Sequence, residues 1–96
     1  MLTGKQKRFL RSQAHHLNPI FQVGKGGVNE NMVRQISDTL EARELIKVSI
    51  LQNCDEDRDT VAEQLSKGSQ AELVQVIGNT IVLYKESKEN KQIKLP

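Results

Sequence analysis

The spacing of hydrophobic residues predicts a helix at the start of the chain. At about 100° per residue, Leu10 and Leu17 fall on one side of such a helix. Thr3 is a suitable N-cap, because its hydroxyl can accept a hydrogen bond from an amide of the first turn. Proline disfavours helical geometry in the residue before it, so we expect Asn18-Pro19 to end the helix after about Leu17.

Two more segments show helical spacing. Asn29 is a candidate cap for the second helix, and the acidic run Asp55-Glu56-Asp57 supplies a cap and favourable charge to the third. Gly68 is placed to close the third helix in left-handed geometry. The residues expected to face inward from these two helices are Met32, Val33, Ile36, Leu40, Val61, Ala62 and Leu65.

Four segments are typical of β-strands, because they are short, rich in β-branched residues and bounded by turn residues. We expect these strands at residues 20–23, 45–51, 73–77 and 80–84. In the second strand, Lys47 and Ser49 alternate with hydrophobic residues and are expected on the opposite side. Gly78-Asn79 places glycine first in a two-residue turn, as a type II′ hairpin prefers. The order αβαβαββ predicts an α/β fold: a compact domain with a mixed four-stranded sheet and helices packed on it.

The end of the chain has a different composition. Residues 86–96 (ESKENKQIKLP) are largely charged and polar, with too little apolar surface to offset the entropy of ordering them. We therefore expect one domain over residues 1–85 and a frayed, charged tail over residues 86–96.

Composition restricts the class of protein. A chain of 96 residues, 36% of them hydrophobic, fits one globular domain. No apolar run approaches the ~18 residues of a membrane span, and the polar, basic start lacks the apolar region of a secretory signal, so we expect a cytoplasmic protein without membrane contact. Cys54 is the single cysteine, which excludes an internal disulfide. Aromatic residues make up only 3%, which argues against a surface of stacked rings.

Charge is distributed unevenly, although the net charge is only +2. Residues 1–36 carry six basic side chains and one acidic one, a net charge of +5. Residues 37–72 carry four basic and nine acidic side chains, a net charge of −5. Such a molecule can bind a polyanion at its basic pole while the acidic pole limits indiscriminate binding. Two solvated faces with no partner are the alternative interpretation.

The most informative motif is Gly24-Lys25-Gly26-Gly27, between a predicted strand and a predicted helix. Its glycines let the backbone approach a ligand closely, and exposed amides, the helix N-terminus and a lysine all favour phosphate. The loop lacks the G-K-[ST] of a Walker A motif, and Asn29 stands where a dinucleotide fingerprint needs its third glycine. It matches G-x-x-G, the loop that clamps the backbone in KH-type RNA binders. A turn that merely connects strand to helix is the alternative.

The first helix also has a basic side. Lys7, Arg11 and His15 follow one another at i, i+4 and i+8, with Arg8 beside them, opposite the hydrophobic side. The helix ends just before the strand that leads into the glycine loop. Helix and loop share one anion-binding face if the sheet packs them on the same edge, and several phosphate contacts would then give a salt-sensitive affinity.

No other group of residues indicates chemistry. The adjacent His15 and His16 point about 100° apart on a helix, which makes joint metal binding awkward. Cys54 has no evident Cys-His partner and is interpreted as a neutral strand-end residue. The acidic run lacks the glycine and the terminal glutamate of an EF-hand loop. We therefore predict no catalytic residue, no metal site and no cofactor.

Several segments of the chain resemble one known family. They are L-T-G-K-Q-K-R-F-L-R at the start, A-H-H-L-N-P, V-G-K-G-G-V, E-L-I-K-V and V-I-G-N-T-I-V-L-Y-K. With these segments in order, roughly over residues 2–85, the chain is similar to the bacterial single-domain YhbY (YqeI-type) proteins. These are stand-alone CRM domains, a module named for chloroplast RNA splicing and ribosome maturation.

The resemblance implies an α/β fold similar to the C-terminal domain of translation initiation factor three. It also implies RNA binding through the glycine loop and neighbouring basic surface, and association with precursors of the large ribosomal subunit. Ser49 stands where the family often has a further basic residue, which limits the basic surface beyond the loop. Carried over by position, the implied RNA-binding residues are Lys5, Lys7, Arg8, Arg11, Gly24, Lys25, Gly26 and Gly27.

Three functions compete. The leading hypothesis is a monomeric, non-enzymatic protein that binds RNA, by resemblance the ribosomal RNA of large-subunit precursors. The alternative is an adaptor whose acidic third helix contacts a basic ribosomal protein, in which case charge reversal at Asp57 and Asp59 abolishes particle association but spares RNA binding. A small nucleotide-binding enzyme is the third, and the missing G-K-[ST] disfavours it.

Overall fold

Three helices and four strands follow one another in the order that the sequence predicts. The computed structural model describes residues 2–96. The helices are α1 (Gly4–Ala14), α2 (Glu30–Arg43) and α3 (Arg58–Ser69), and the strands are β1 (Phe21–Val23), β2 (Leu45–Ile50), β3 (Glu72–Ile77) and β4 (Thr80–Tyr84). The αβαβαββ order is confirmed, although α1 ends at Ala14 rather than Leu17.

The strands form one mixed sheet in the order β1-β2-β4-β3. β1 pairs parallel with β2, and the other neighbours are antiparallel. In the hairpin between β3 and β4, the first turn residue, Gly78, has a positive φ of 56°, and the second, Asn79, does not have a positive φ. This pattern agrees with the predicted type II′ turn, which needs positive φ only at its first central residue. The predicted mixed four-stranded sheet is therefore confirmed.

The three helices begin at the caps that the sequence indicates. The Thr3 hydroxyl accepts from the Gln6 N–H at 3.1 Å, and the Gln6 side chain accepts from the Thr3 N–H at 3.0 Å, which forms a capping box. Asn29 and Asp57 accept from backbone amides three residues on, at 2.8 Å and 2.7 Å. Each cap satisfies an N–H that has no partner within the first turn of its helix.

The sheet separates two hydrophobic cores. α2 and α3 cover one face and α1 covers part of the other, so the side chains of β2 alternate between the two. The main core consists of Val23, Ile36, Leu40, Ile46, Val48, Ile50, Val61, Ala62, Leu65, Ile81 and Leu83. The smaller core, under α1, consists of Leu10, Ala14, Leu45, Val74, Val82 and Tyr84. This division fixes which side chains remain available on the α1 side of the sheet.

Gly68 does not close α3, contrary to the prediction. It lies inside the helix, and Gln70 takes the left-handed conformation at the C-cap with a φ of 57°. A Cβ at position 68 would lie 3.0 Å from Cγ1 of Val33 in α2. The position therefore depends on the missing side chain, which lets the two helices approach closely, and not on backbone freedom.

The prediction of a frayed tail is wrong, because residues 86–96 pack on the domain. We name these residues the C-terminal strap. Glu44 is fully buried, and its carboxylate accepts three N–H groups of the strap at 2.6–2.8 Å. Ile93 and Leu95 pack against the core under α1. The donors to Glu44 are Ser87, Gln92 and Ile93. A distant buried carboxylate and a hydrophobic surface thus order a segment whose own composition predicts disorder.

Candidate functional site

The glycine loop, residues 24–27, lies at the edge of the sheet where β1 and β2 end. The Gly27 N–H donates to the Gly24 carbonyl at 3.0 Å, which closes a turn with Lys25 and Gly26 at its tip. Lys25 and Gly26 are exposed, whereas Gly27 is buried. Within residues 2–96, the N–H groups of Lys25 and Gly26 make no hydrogen bond. Both are therefore free to donate to a phosphate oxygen.

The last two glycines of the loop have different roles. Gly27 has a φ of 68°, in the left-handed region that favours glycine. Gly26 lies outside that region, and a Cβ added there would meet nothing within 4 Å. Gly27 thus shapes the turn, while Gly26 leaves space in which a ligand can reach the backbone.

Acidic residues flank one side of the loop. A Cβ at Gly27 would lie 3.5 Å from Cγ of Glu56, which belongs to the connection between β2 and α3. Asp55 and Asp57 stand on either side of Glu56 in the same connection. A phosphate that approaches the loop from this side meets like charge, so the favourable approach lies on the other side.

The basic residues of α1 lie on the opposite side of the sheet from α2 and α3. Lys5, Arg8 and Arg11 are exposed, and Lys7 is half-buried. The helix begins at the end of the sheet where β3 starts, and its last turn reaches the part of the sheet nearer the glycine loop. The structure therefore brings Arg11 towards the loop and keeps Lys5 at the opposite end of the domain.

Part of the sheet on the α1 side is not covered by the helix. The alternation of β2 predicts Lys47 and Ser49 on this side, and the structure confirms it, since their neighbours Ile46 and Val48 lie in the main core. A depression of about 410 Å³ lies here, and α1 contributes one of its walls. We name the uncovered surface the open sheet face; its side chains are Gln22, Lys47, Ser49, Gln75, Ile77 and Thr80.

A bulge in β3 adds a residue to this surface. The pairing of β3 with β4 shifts between Leu73 and Gln75, so that Gln75 is opposite Val82. Val74 and Gln75 therefore both face the α1 side, although they are adjacent in the chain. Strand alternation could have identified Lys47 as a site residue, but no sequence pattern indicates the bulge that places Gln75 beside it.

The remaining sequence candidates are not assembled into a reactive site. The rings of His15 and His16 meet edge to face with centroids 5.5 Å apart. Over residues 2–96, no three metal-ligating side chains form a group that could hold an ion. No helix in the same range is long and apolar enough to cross a membrane. The N–H of Thr60 donates to Asp57 and holds the pKa of that carboxyl below its usual value, so helix capping accounts for Asp57.

The fold and the loop together define a small α/β domain that presents a G-x-x-G loop at one edge of its sheet. The family model of the CRS1/YhbY (CRM) domain matches residues 2–85. The chain belongs to this family. The predicted family is thereby confirmed.

Related proteins bear names that refer to RNA. The chain is 79% identical over 96 residues to the probable RNA-binding protein YqeI of Bacillus subtilis, covering 100% of both. It is 39% identical over 95 residues to an RNA-binding protein of Haemophilus influenzae, covering 99% of this chain and 95% of that protein. A hypothetical protein of Staphylococcus aureus, a candidate RNA binder solved in solution, matches with a TM-score of 0.83 and 67% identity over 100% of both chains. These names agree with the prediction of a binding protein rather than an enzyme.

Proposed function

We propose that this protein binds RNA, with the tip of the glycine loop as its central contact. The observation that carries the proposal is the exposed pair Lys25 and Gly26, whose N–H groups have no partner within residues 2–96. Two free amides and one ammonium group on a turn match the oxygens of a phosphodiester. Arg8 and Arg11, which are exposed on α1, add attraction that does not depend on sequence.

The loop is built for a backbone contact, not for reading bases. Amide and ammonium donors recognise phosphate oxygens, which are the same at every nucleotide. Specificity then comes from the shape of the RNA, as for many RNA-binding domains. Membership of the CRS1/YhbY (CRM) family and the names of the relatives support RNA as the partner.

We propose further that the RNA is ribosomal RNA in precursors of the large subunit. Support for this step comes from the resemblance to a module named for ribosome maturation. In this proposal the protein is cytoplasmic and acts as a monomer; its own helices cover both hydrophobic cores, which supports the monomer. All eight residues implied by the resemblance contribute: Lys25 and Gly26 directly, Gly24 and Gly27 through the shape of the loop, and Lys5, Lys7, Arg8 and Arg11 through charge.

The loop is tested with Gly26→Glu. The substitution places a carboxylate at the tip, where a Cβ meets nothing within 4 Å, so the fold should be retained. Gln64→Glu is the matched control, because it adds the same charge to an exposed position of α3. We expect Gly26→Glu to weaken binding to a short fluorescein-labelled RNA hairpin by about tenfold or more, and Gln64→Glu by less than about twofold. Equal affinities for the two variants would refute the role of the loop.

The ribosomal target is tested by sedimentation of a cell lysate through sucrose gradients at low and high salt. Co-migration with large-subunit precursors that is lost as salt rises is the expected result, because phosphate contacts release counterions. Gly26→Glu should leave the particle fractions, and Gln64→Glu should remain in them. If the wild-type protein stays at the top of the gradient at every salt concentration, the ribosomal target is wrong while RNA binding is still measured by the hairpin assay.

A further inference from the structure

The open sheet face connects the two parts of the proposed RNA site. α1 covers the end of the sheet where β2 begins, and the glycine loop follows the opposite end, where β1 and β2 stop. Lys47 and Ser49 lie between them on β2, and Gln22 is paired with Ser49 on the edge strand. From Lys47 to the end of β2 is about 10 Å at ~3.3 Å per residue. The surface is thus continuous from α1 to the loop.

The charge of this surface is positive. Arg11 and Lys47 line the depression, and the side chain of neither forms an ion pair or a hydrogen bond within residues 2–96. No carboxylate is among the lining side chains, whereas Gln75 and Thr80 offer neutral donors. By contrast, Lys67 on α3 pairs with Glu63 at 2.7 Å. Two unpaired cations with neutral donors around them form a surface suited to phosphates.

The acidic connection after β2 determines the direction of approach. Glu56 lies against the buried side of the loop, and Asp55 and Asp57 adjoin it. An RNA strand bound at Lys25 and Gly26 is repelled on that side and attracted on the side of Lys47. The charge distribution thus directs the strand from the loop across the open sheet face.

The positions of the Phe and Tyr rings determine what part of the RNA this surface contacts. Tyr84 is buried in the core under α1, Phe9 packs against that core, and Phe21 packs against the main core. No Phe or Tyr ring among residues 2–96 is therefore placed on the open sheet face to stack on a base, and the ring that lines the depression beside it is the imidazole of His15, which meets His16 edge to face. The donors that are present bind phosphate and ribose oxygens.

We propose that the open sheet face is a second RNA contact, along which the sugar-phosphate backbone passes from the glycine loop to α1, with Lys47 and Arg11 as its phosphate-binding residues. This inference rests on the proposed RNA-binding function and extends it to residues outside the loop. The inference assigns different roles to the basic residues of α1. Arg11 contacts the RNA strand that the loop binds, whereas Lys5 lies outside the path of that RNA strand.

The test is fluorescence anisotropy with a short labelled RNA hairpin that carries a single-stranded extension, at several salt concentrations. The variant is Lys47→Gln with Arg11→Gln. Arg34→Gln is the control, because Arg34 is exposed, is free of ion pairs within residues 2–96 and lies on α2, behind the sheet. We expect the double variant to raise Kd about tenfold and to lower the slope of log K against log salt by about 1.4, or ~0.7 for each lost phosphate contact.

The outcomes distinguish this inference from the function on which it rests. If the double variant binds like Arg34→Gln while Gly26→Glu loses binding, the open sheet face is not a contact and the loop proposal stands. If the wild-type protein does not bind the probe even at low salt, both proposals are wrong.

Amide NMR shifts give a second readout, since RNA should move the signals of Gln22, Ser49 and Thr80. Shifts confined to α2 and α3, on the other face of the sheet, would overturn the inference. Thermal unfolding of each variant checks that the fold is retained.

Discussion

The glycine loop and the C-terminal strap are both irregular segments, but their backbones are satisfied in opposite ways. At the tip of the loop, the N–H groups of Lys25 and Gly26 have no partner within residues 2–96. In the strap, backbone N–H groups donate to the carboxylates of Glu41 and Glu44 at 2.6–2.9 Å. Two acidic side chains thus order the strap, whereas the N–H donors of the loop remain available to a ligand.

The difference shows which irregular segment belongs to the scaffold. Glu44 is buried, and its backbone has a φ of 66°. A residue other than glycine adopts this conformation only when its surroundings require it. Its carbonyl accepts from Lys85, and its carboxylate accepts from the strap, so both of its ends are fixed. No comparable restraint acts on Gly26, beside which there is open space. An unsatisfied, exposed backbone is the better indication of a binding site.

The largest expected effect comes from removing the anchor of the strap. Glu44→Ala leaves three N–H groups without their acceptor and releases Ile93 from the core under α1. We expect it to lower the free energy of unfolding by about 3 kcal/mol, measured by urea denaturation. Glu86→Ala is the control, because Glu86 forms only an exposed ion pair at 3.7 Å, worth less than ~0.5 kcal/mol. Equal losses in the two variants would show that the strap is not anchored by Glu44.

The next effect separates the two glycines of the loop. Gly27→Ala forces a side chain into the left-handed region and should cost about 1 kcal/mol of stability. Gly26→Ala should leave stability unchanged while it weakens RNA binding, because the added methyl group occupies the space that the backbone offers a phosphate. Urea denaturation and anisotropy of both variants measure the two effects. A destabilised Gly26→Ala with normal affinity would reverse these roles.

Loop and strap also differ in how far the sequence predicts them. The loop, the caps at Thr3 and Asn29 and the turn at Gly78 are visible in the sequence because each depends on residues within a few positions. The strap is not, because its donors lie 43–49 residues from Glu44. The role of Gly68 depends in the same way on Val33 in another helix. Contacts between residues a few positions apart can be predicted from the sequence, whereas contacts between distant segments become visible only in the folded structure.

A smaller effect is the dependence of the strap on pH. Hydrogen bonds from the Lys88 N–H, the Ser87 hydroxyl and the Glu89 N–H lower the pKa of Glu41 from 4.5 to about 2. Because the pKa is lower in the folded state, the contribution of Glu41 to stability is present above pH 4.5 and is lost as pH falls towards 2. Urea denaturation between these pH values should show a steeper loss of stability for the wild type than for Glu41→Gln. Parallel curves would contradict the assignment of this carboxylate to the strap.

The smallest expected effect tests the charge beside the loop. Glu56 lies against Gly27, where it repels a phosphate held at the tip, so Glu56→Gln should strengthen RNA binding by about twofold at low salt. The gain should disappear at high salt, because screening removes the repulsion between exposed charges. Glu63→Gln is the control, since Glu63 is on α3 and already pairs with Lys67. An equal gain from both variants would mean that only the net charge of the protein matters. A gain confined to Glu56→Gln would show that the acidic connection between β2 and α3 restricts access to the loop. Its role would then differ from that of Glu41 and Glu44, whose carboxylates bind the strap.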